Sequence, residues 1–294
     1  MKLSVIMGTY NGARYIRSAI ESILDQTFTD FEFIICDDCS TDDTFAIIKE
    51  YQQRDDRIVL IKNETNLKLA ATLNKCLEVA QGEYIARMDD DDIALSYRFQ
   101  TEVDFLDSHP EYSFVGSSIA YFSGASIWGA KIFDGPQDVH TVYKGFSFVH
   151  PTIVVRSSSI KEVGGYTVSP LTTRTEDYDL WCKLYFNGYQ GFNLKEILLL
   201  YKEDTDSGRR RKFRHRLDLM NLQFYWRKEL ALPLSFLIFA FKPLLSGILP
   251  EAILLKRRIR LGLSDLEHFV TGSDIHSYGE ILEKYLDYNK GHTL

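Results

Sequence analysis

Cysteine is scarce in this 294-residue chain: Cys36, Cys39, Cys76 and Cys182 are all there is. The first residues read as a strand and not as a signal peptide, so free thiols in a reducing cytoplasm are expected. Cys36 and Cys39 have CxxC spacing, but no second pair completes a zinc site, and the pairing is read as chance, with redox chemistry second. No GxGxxG or GxxxxGK[ST] follows the first apolar run, so neither the usual dinucleotide fold nor a P-loop is indicated. A long unbroken apolar run is also missing. The segment "LALPLSFLIFAFKPLLSGILPEAILL" (230–255) is interrupted by Pro233, Lys242, Pro243 and Pro250, which makes it a poor membrane-spanning helix. There is no internal repeat and no low-complexity segment.

What is present is a globular composition, with 45% hydrophobic and 13% aromatic residues, enough for one large domain or a domain with an appendage. The net charge of −7 is unevenly spread. Residues 205–262 hold 13 Lys and Arg against four Asp and Glu, a surplus of nine positive charges that leaves −16 for the remainder. An acidic body suits metal cations; a basic, apolar tail beside "KRRIR" (256–260) suits helices lying in an anionic membrane interface, or a helical extension packed on the body or on a partner subunit.

The first half alternates between short apolar runs and helical spacing. Strand-like runs at 2–9, 31–38, 57–62 and 83–89 are separated by helical patterns at 11–25, 43–54 and 69–80; in the first of these Tyr15, Ile16, Ala19, Ile20, Ile23 and Leu24 share one face. Such alternation implies parallel βαβ units, whose ligands bind beyond the carboxyl ends of the strands. Further strands are read in "YSFVGSSIAYF" and "HPTIVVR", and a helix at 175–187. Three polar clusters fall at strand ends: Thr9-Tyr10-Asn11, Asp37-Asp38 and the four aspartates at 89–92. In an extended segment Asp89 and Asp91 face one way and Asp90 and Asp92 the other. Two carboxylates at a rim suit Mg²⁺ or Mn²⁺ shared with substrate phosphates. Asp38 can accept hydrogen bonds from a base or ribose and Tyr10 offers a ring for stacking, although Ser40 or Thr41 capping the next helix is an alternative role for that turn. Asp42 and Asp43 complement the helix dipole.

The stretches "SVIMGTYNGARYIRSAIESILDQTFTDFEFIICDDCSTDDT" and "NKCLEVAQGEYIARMDDDDIALSYRFQ" resemble the family 2 glycosyltransferases, inverting enzymes of the GT-A fold that use nucleotide-sugar donors. The resemblance runs over roughly residues 2–202. It implies a nucleotide site at Thr9, Tyr10, Asp38, Asp89 and Asp90, with Asp38 on the base and Tyr10 packed against it. It also implies a metal held by Asp91 and Asp89, with Asp91 the direct ligand. Asp90 stands where the family has a small residue and reads as a bystander or ribose contact, and Asp92 as the start of the next helix. "TEDYDLW" (175–181) matches the family's catalytic-base pattern. Inversion needs one carboxylate to take the acceptor's proton, which the resemblance gives to Asp177, while a metal offsets charge on the departing diphosphate. Glu176, His150 of "FVHPTIVVR" and Trp181 are placed near donor or acceptor sugar. The competing local readings are a Thr173–Glu176 capping box, a structural His150 and a core Trp181.

Two departures qualify the resemblance: no histidine lies between "YK" (201–202) and His215, which puts a third metal ligand in doubt, and no QxxRW motif is present, so one sugar per acceptor is expected. The reading is an α/β chain of GT-A fold with a mostly parallel sheet over 1–205, nucleotide-binding to about 110 and acceptor-binding from 111, and a helical extension over 206–294. It implies Mn²⁺ or Mg²⁺, a UDP-sugar, a polyprenyl-diphosphate-linked saccharide acceptor, surface-polysaccharide synthesis and a peripheral position on the cytoplasmic face of the membrane, with no nucleic-acid partner. Rival readings are a metal-dependent nucleotidyltransferase or phosphohydrolase, and a non-catalytic nucleotide-sugar or membrane-binding module.

Overall fold

The computed structural model describes residues 1–145, 147–203, 213–248 and 251–290. Its centre is a ten-stranded sheet. β1 (Leu3–Thr9), β2 (Phe31–Asp37), β3 (Ile58–Lys62) and β4 (Tyr84–Arg87) are joined by α1 (Ile16–Leu24), α2 (Thr44–Gln52) and α3 (Leu69–Val79). A two-residue strand β5 (Ile93–Ala94) and α4 (Arg98–Ser108) follow, then β6 (Phe114–Ser123), β7 (Ser126–Lys131), β8 (Gly135–Pro136), α5 (Val139–Lys144), β9 (Val154–Arg156), α6 (Ser157–Glu162), α7 (Glu176–Phe186) and β10 (Gly191–Lys202). The strand order is β3-β2-β1-β4-β9-β6-β10-β5, with β7 on β6 and β8 on β10. The β1–β4 quartet is parallel throughout, and β9 is inserted antiparallel between β4 and β6.

Helices cover both faces, which is why these strands read as continuous apolar runs and do not alternate with polar residues. In β1, Leu3, Val5 and Met7 pack against α1 and α4 residues such as Ile20 and Phe99, while Ile6 faces the opposite core with Leu73 of α3. The aspartate segment departs from the sequence expectation. Asp92 does not open a helix: β5 intervenes and α4 begins only at Arg98, whose side chain is fully buried against Glu102 and donates to the Arg87 carbonyl at 3.0 Å.

The C-terminal helices are α8 (Phe213–Glu229), α9 (Leu237–Ile248), α10 (Glu251–Phe269) and α11 (Gly272–Lys290). Leu222 and Trp226 of α8 join the core around Trp181, and Leu266 of α10 with Leu282 and Tyr285 of α11 close a third core over β5 and β6. Ser18 of α1 donates to the Tyr285 carbonyl at 2.8 Å. The extension therefore packs on the body, with Pro243 inside α9, while Leu234, Ile238 and Phe241 remain exposed. Among the described residues no helix is long and apolar enough to cross a membrane. The expected boundary at 205, the run Arg209, Arg210, Arg211 and Lys212, and Pro250 lie outside the described residues.

Candidate active site

The parallel register brings the ends of three strands level, with Thr9 opposite Asp37 and Asp37 opposite Lys62. The loops beyond them are knotted together by side chains. Asn11 accepts from Thr41 N at 2.8 Å, Gly12 N donates to Thr44 Oγ1 at 2.8 Å, and Ala13 N donates to Asp42 Oδ2 at 3.2 Å. Asp42, not Ser40 or Thr41, meets the start of α2, through Thr44 N at 3.1 Å. Asn11, Cys39, Lys68 and Arg174 all have positive φ, of 56°, 62°, 72° and 64°, in the loops around this rim. Left-handed non-glycine residues are held in place only by a surrounding structure that over-determines them, and they gather at functional sites. Cys36 and Cys39 do not act as a pair: both are free thiols, and Cys39 Sγ lies 3.4 Å from the Glu64 carbonyl.

Tyr10 stands 48% exposed at this rim, open to a stacking partner, whereas Asp38 is 4% exposed. Asp38 Oδ1 accepts from Asn63 Nδ2 at 2.8 Å and Leu67 N at 2.7 Å, and Oδ2 accepts from Lys68 N at 2.9 Å. A carboxylate has about four acceptor positions. Three are committed to shaping the 63–68 loop, so Asp38 builds the wall of the site and has one position left for a ligand.

The aspartate run is not extended. It turns at Asp90 and Asp91, so the simple alternation fails and the four residues sort differently. Asp90 leaves the group: Thr9 Oγ1 donates to its Oδ2, and a Cβ on Gly12 would sit 2.3 Å from that oxygen, so glycine is what admits it. Asp89, Asp91 and Asp92 each offer a carboxylate oxygen within 4.8 Å of the others. The donor chemistry fits a hard divalent cation, which takes carboxylate oxygens and shares the remainder of its shell with water and phosphate. Asp92 thus joins the expected Asp89–Asp91 pair, because the turn swings it back.

Crowding of negative charge shows in the acidities. Burial, then the neighbouring Asp91 charge, pushes the Asp90 carboxyl up to about 7, and burial with Asp89 pushes Asp91 up to about 6 against the pull of Lys202 and Arg87. Asp92 is raised well above the carboxylate range, by burial and then by Asp91. Two cations from the chain answer this charge. Arg87, 4% exposed on β4, donates Nη2 to Asp89; its Nε and Nη1 are buried without a hydrogen-bond partner. Although burial opposes it, Asp89 keeps that guanidinium firmly charged. Lys202, at the end of β10, places Nζ 3.6 Å from Asp91 Oδ2 and donates its backbone N–H to Asp92 Oδ1 at 2.8 Å.

The facing wall comes from the second half of the chain. Burial raises the Tyr166 hydroxyl, which also feels Arg87, Glu176, Asp177 and Asp89, so it lies among both acidic groups. His150 Nε2 is 2.8 Å from that hydroxyl; burial and then Arg87 hold the imidazole well below its usual pKa and therefore neutral. Glu176 is pushed up to about 7 by burial and then by the Asp177 charge. No Thr173–Glu176 capping box forms: Thr175 is the cap residue, but its Oγ1 donates back to the Leu171 carbonyl at 3.3 Å, and Thr173 Oγ1 turns back to the Ser169 carbonyl at 3.4 Å. Asp177 Oδ1 instead accepts from Tyr178 N, in the first turn of α7, at 2.8 Å. Trp181 must be corrected. It is 3% exposed, stacked at 5.3 Å on Phe114 and packed against Phe148, so it has no face for a sugar and serves the core.

Comparison with known proteins decides the family. A family model, Glycosyl transferase family 2, matches residues 4–164. The chain belongs to the family 2 glycosyltransferases. EpsE of Bacillus subtilis, named as a glycosyltransferase, is 41% identical over 254 residues, 86% of this chain and 91% of its own. An Escherichia coli UDP-Glc:α-D-GlcNAc-diphosphoundecaprenol β-1,3-glucosyltransferase, WfaP, is 27% identical over 222 residues, covering 75% of this chain and 84% of its own. Among solved structures, Staphylococcus aureus TarS in complex with UDP-GlcNAc superposes with TM-score 0.66 at 20% identity, over 98% of this chain and 92% of that one, which identifies the GT-A fold.

In this glycosyltransferase Thr9, Tyr10 and Asp38 thus lie at the ends of β1 and β2 and the aspartates follow β4, while His150 bonds to Tyr166, whose hydroxyl feels the charges of Asp89, Glu176 and Asp177. Sequence reasoning missed Arg87, Lys202, Tyr166 and the part taken by Asp92. One signal was available: Arg87 is a charge inside the otherwise apolar strand "YIAR", which a buried sheet tolerates only with a paired anion.

Proposed function

We propose that this glycosyltransferase is a metal-dependent, inverting enzyme that moves one sugar from a UDP-sugar to a polyprenyl-diphosphate-linked saccharide in surface-polysaccharide synthesis. The observation that carries the reading is the gathering of Asp89, Asp91 and Asp92 at the carboxyl ends of the sheet, with Glu176 and Asp177 within electrostatic reach through Tyr166 and Arg87. Asp91 and Asp89, joined by Asp92, are the residues that would hold Mn²⁺ or Mg²⁺. When bound, that cation supplies positive charge for the leaving nucleoside diphosphate. Tyr10 stacks on the base, the loop shaped by Asp38 encloses it, and Thr9 with Asp90 supports the ribose side. Asp177 accepts the proton of the acceptor hydroxyl as its oxygen bonds to the anomeric carbon; the sugar–phosphate bond breaks with its electrons leaving on the diphosphate. Glu176 and the neutral His150, steadied by Tyr166, border the sugar.

The names of relatives support the donor and acceptor: WfaP's own name specifies UDP-Glc and a diphosphoundecaprenol-linked sugar. A position at the inner membrane surface is supported by exposed Leu234, Ile238 and Phe241 beside the exposed Lys242. Flotation with anionic liposomes that weakens as salt rises is the expected result. The decisive assay incubates the protein with Mn²⁺, a panel of nucleotide sugars and polyprenyl-diphosphate saccharides, and follows free nucleoside diphosphate and extended acceptor. Asp177→Asn is expected to lower turnover by about 10²- to 10⁴-fold, the range for one general base, with donor binding by calorimetry preserved. Full activity in that variant removes the base assignment.

A further inference from the structure

Lys202 occupies an unusual place for a lysine. Its side chain is 7% exposed, its Nζ lies 3.6 Å from Asp91 Oδ2, and the same ammonium sits 4.0 Å from the centroid of the Tyr15 ring. The carboxylate it faces belongs to the Asp89–Asp91–Asp92 group, and its backbone N–H holds Asp92, so the strand end fixes where this lysine emerges. We propose that Lys202 is a built-in competitor for the divalent cation: in the donor-free enzyme its ammonium neutralises the metal-binding carboxylates, and it must withdraw before a metal can settle there. The inference rests on the reading of these aspartates as the metal site.

Three observations favour Lys202 over Arg87 as the group that yields. Arg87 is held by Asp89 from within the sheet, with its Nε and Nη1 buried. Lys202 contacts Asp91 at 3.6 Å, a looser distance than a charge-assisted N–H···O bond of about 2.7–2.9 Å. A lysine stem also has four rotatable bonds and a compact ammonium that can leave one anion for another, whereas a guanidinium is a rigid fork. A cation ligated by Asp91 would stand within a few ångströms of the ammonium, where like-charge repulsion is substantial even in a partly hydrated site. The consequence is order. Metal alone binds weakly, and metal accompanied by a nucleotide sugar binds well, because the diphosphate brings both further oxygen ligands and negative charge for the displaced lysine.

The test is a titration of the donor-free full-length protein with Mn²⁺, with free Mn²⁺ read by electron paramagnetic resonance. Lys202→Met is expected to bind Mn²⁺ more tightly than wild type, by roughly tenfold to a hundredfold. Lys202→Gln is expected to do the same, which guards against a folding defect in one variant, and Lys202→Arg is expected to keep the weak binding. Asp91→Asn is expected to lose binding. Equal or weaker Mn²⁺ affinity in both Lys202→Met and Lys202→Gln, with Asp91→Asn still deficient, overturns the competitor role and leaves the metal site standing. Absence of Mn²⁺ binding in every variant, with UDP added as well, overturns the metal reading and this inference with it.

Discussion

Replacing Asp38 separates what this residue does for the fold from what it offers a ligand. Its carboxylate accepts from Asn63 Nδ2, Leu67 N and Lys68 N at 2.8, 2.7 and 2.9 Å, and the last of these fixes a residue with φ 72°. Asp38→Ala leaves three donors without their acceptor. Leu67 and Lys68 lie near solvent and recover water, so each lost bond falls below the range for charged acceptors to the typical net value of about 1 kcal/mol, and the total is about 3 kcal/mol. Asp38→Asn keeps one oxygen. Placed as Oδ1 it still serves Asn63 and Leu67, while the new amide group faces Lys68 N, at a cost of about 1 kcal/mol. Urea unfolding at pH 7 should rank wild type above Asp38→Asn and Asp38→Asn above Asp38→Ala. Equal costs for the two variants, or a cost below about 1 kcal/mol for alanine, would refute the assignment of this carboxylate to the 63–68 loop.

Glu176 makes a pH prediction: with its carboxyl pushed up to about 7 by burial and by Asp177, the folded chain keeps a proton that the unfolded chain releases near 4.5. Its contribution is therefore present at low pH and lost as pH rises between about 4.5 and 7, by at most roughly 3 kcal/mol. Glu176→Gln should flatten that slope in unfolding curves at pH 5, 6 and 7, and an unchanged slope contradicts the burial argument. In the extension, Trp226 Nε1 donates to Asp179 Oδ1 at 2.8 Å, while Asp179 Oδ2 is buried without a partner. Trp226→Phe should cost about 1–3 kcal/mol in the same assay by orphaning that carboxylate, whereas a neutral result means that α8 is not energetically tied to α7.

The alternation of short apolar runs with helical periodicity was enough to name the parallel sheet and its helices, because both are local patterns: a strand buried on both faces reads as a continuous apolar run, and a helix repeats about every 3.6 residues. The rim was legible for the same reason, since parallel strands must end on one side. What the pattern did not contain was the behaviour of short irregular segments. The turn at Asp90–Asp91, the one-residue accommodation at Gly12 and the two-residue β5 have no periodicity to read. Trp181 was misplaced because an aromatic one turn after Asp177 looks the same from sequence whether it faces a ligand or Phe114.

By itself, then, the sequence determined an α/β protein with an acidic rim at the ends of its strands, motifs of a nucleotide-sugar enzyme and a tail too broken to cross a membrane as one helix. Only the tertiary structure decided how the four aspartates divide, with Asp90 drawn to Thr9 and Asp92 returned to Asp89 and Asp91. It alone brought Lys202 from 110 residues away onto Asp92 and Asp91. The reason is physical: the sheet and helices follow from local periodicity and burial, whereas the charge state and direction of each carboxylate depend on which distant cation, hydroxyl or backbone N–H the fold delivers to it.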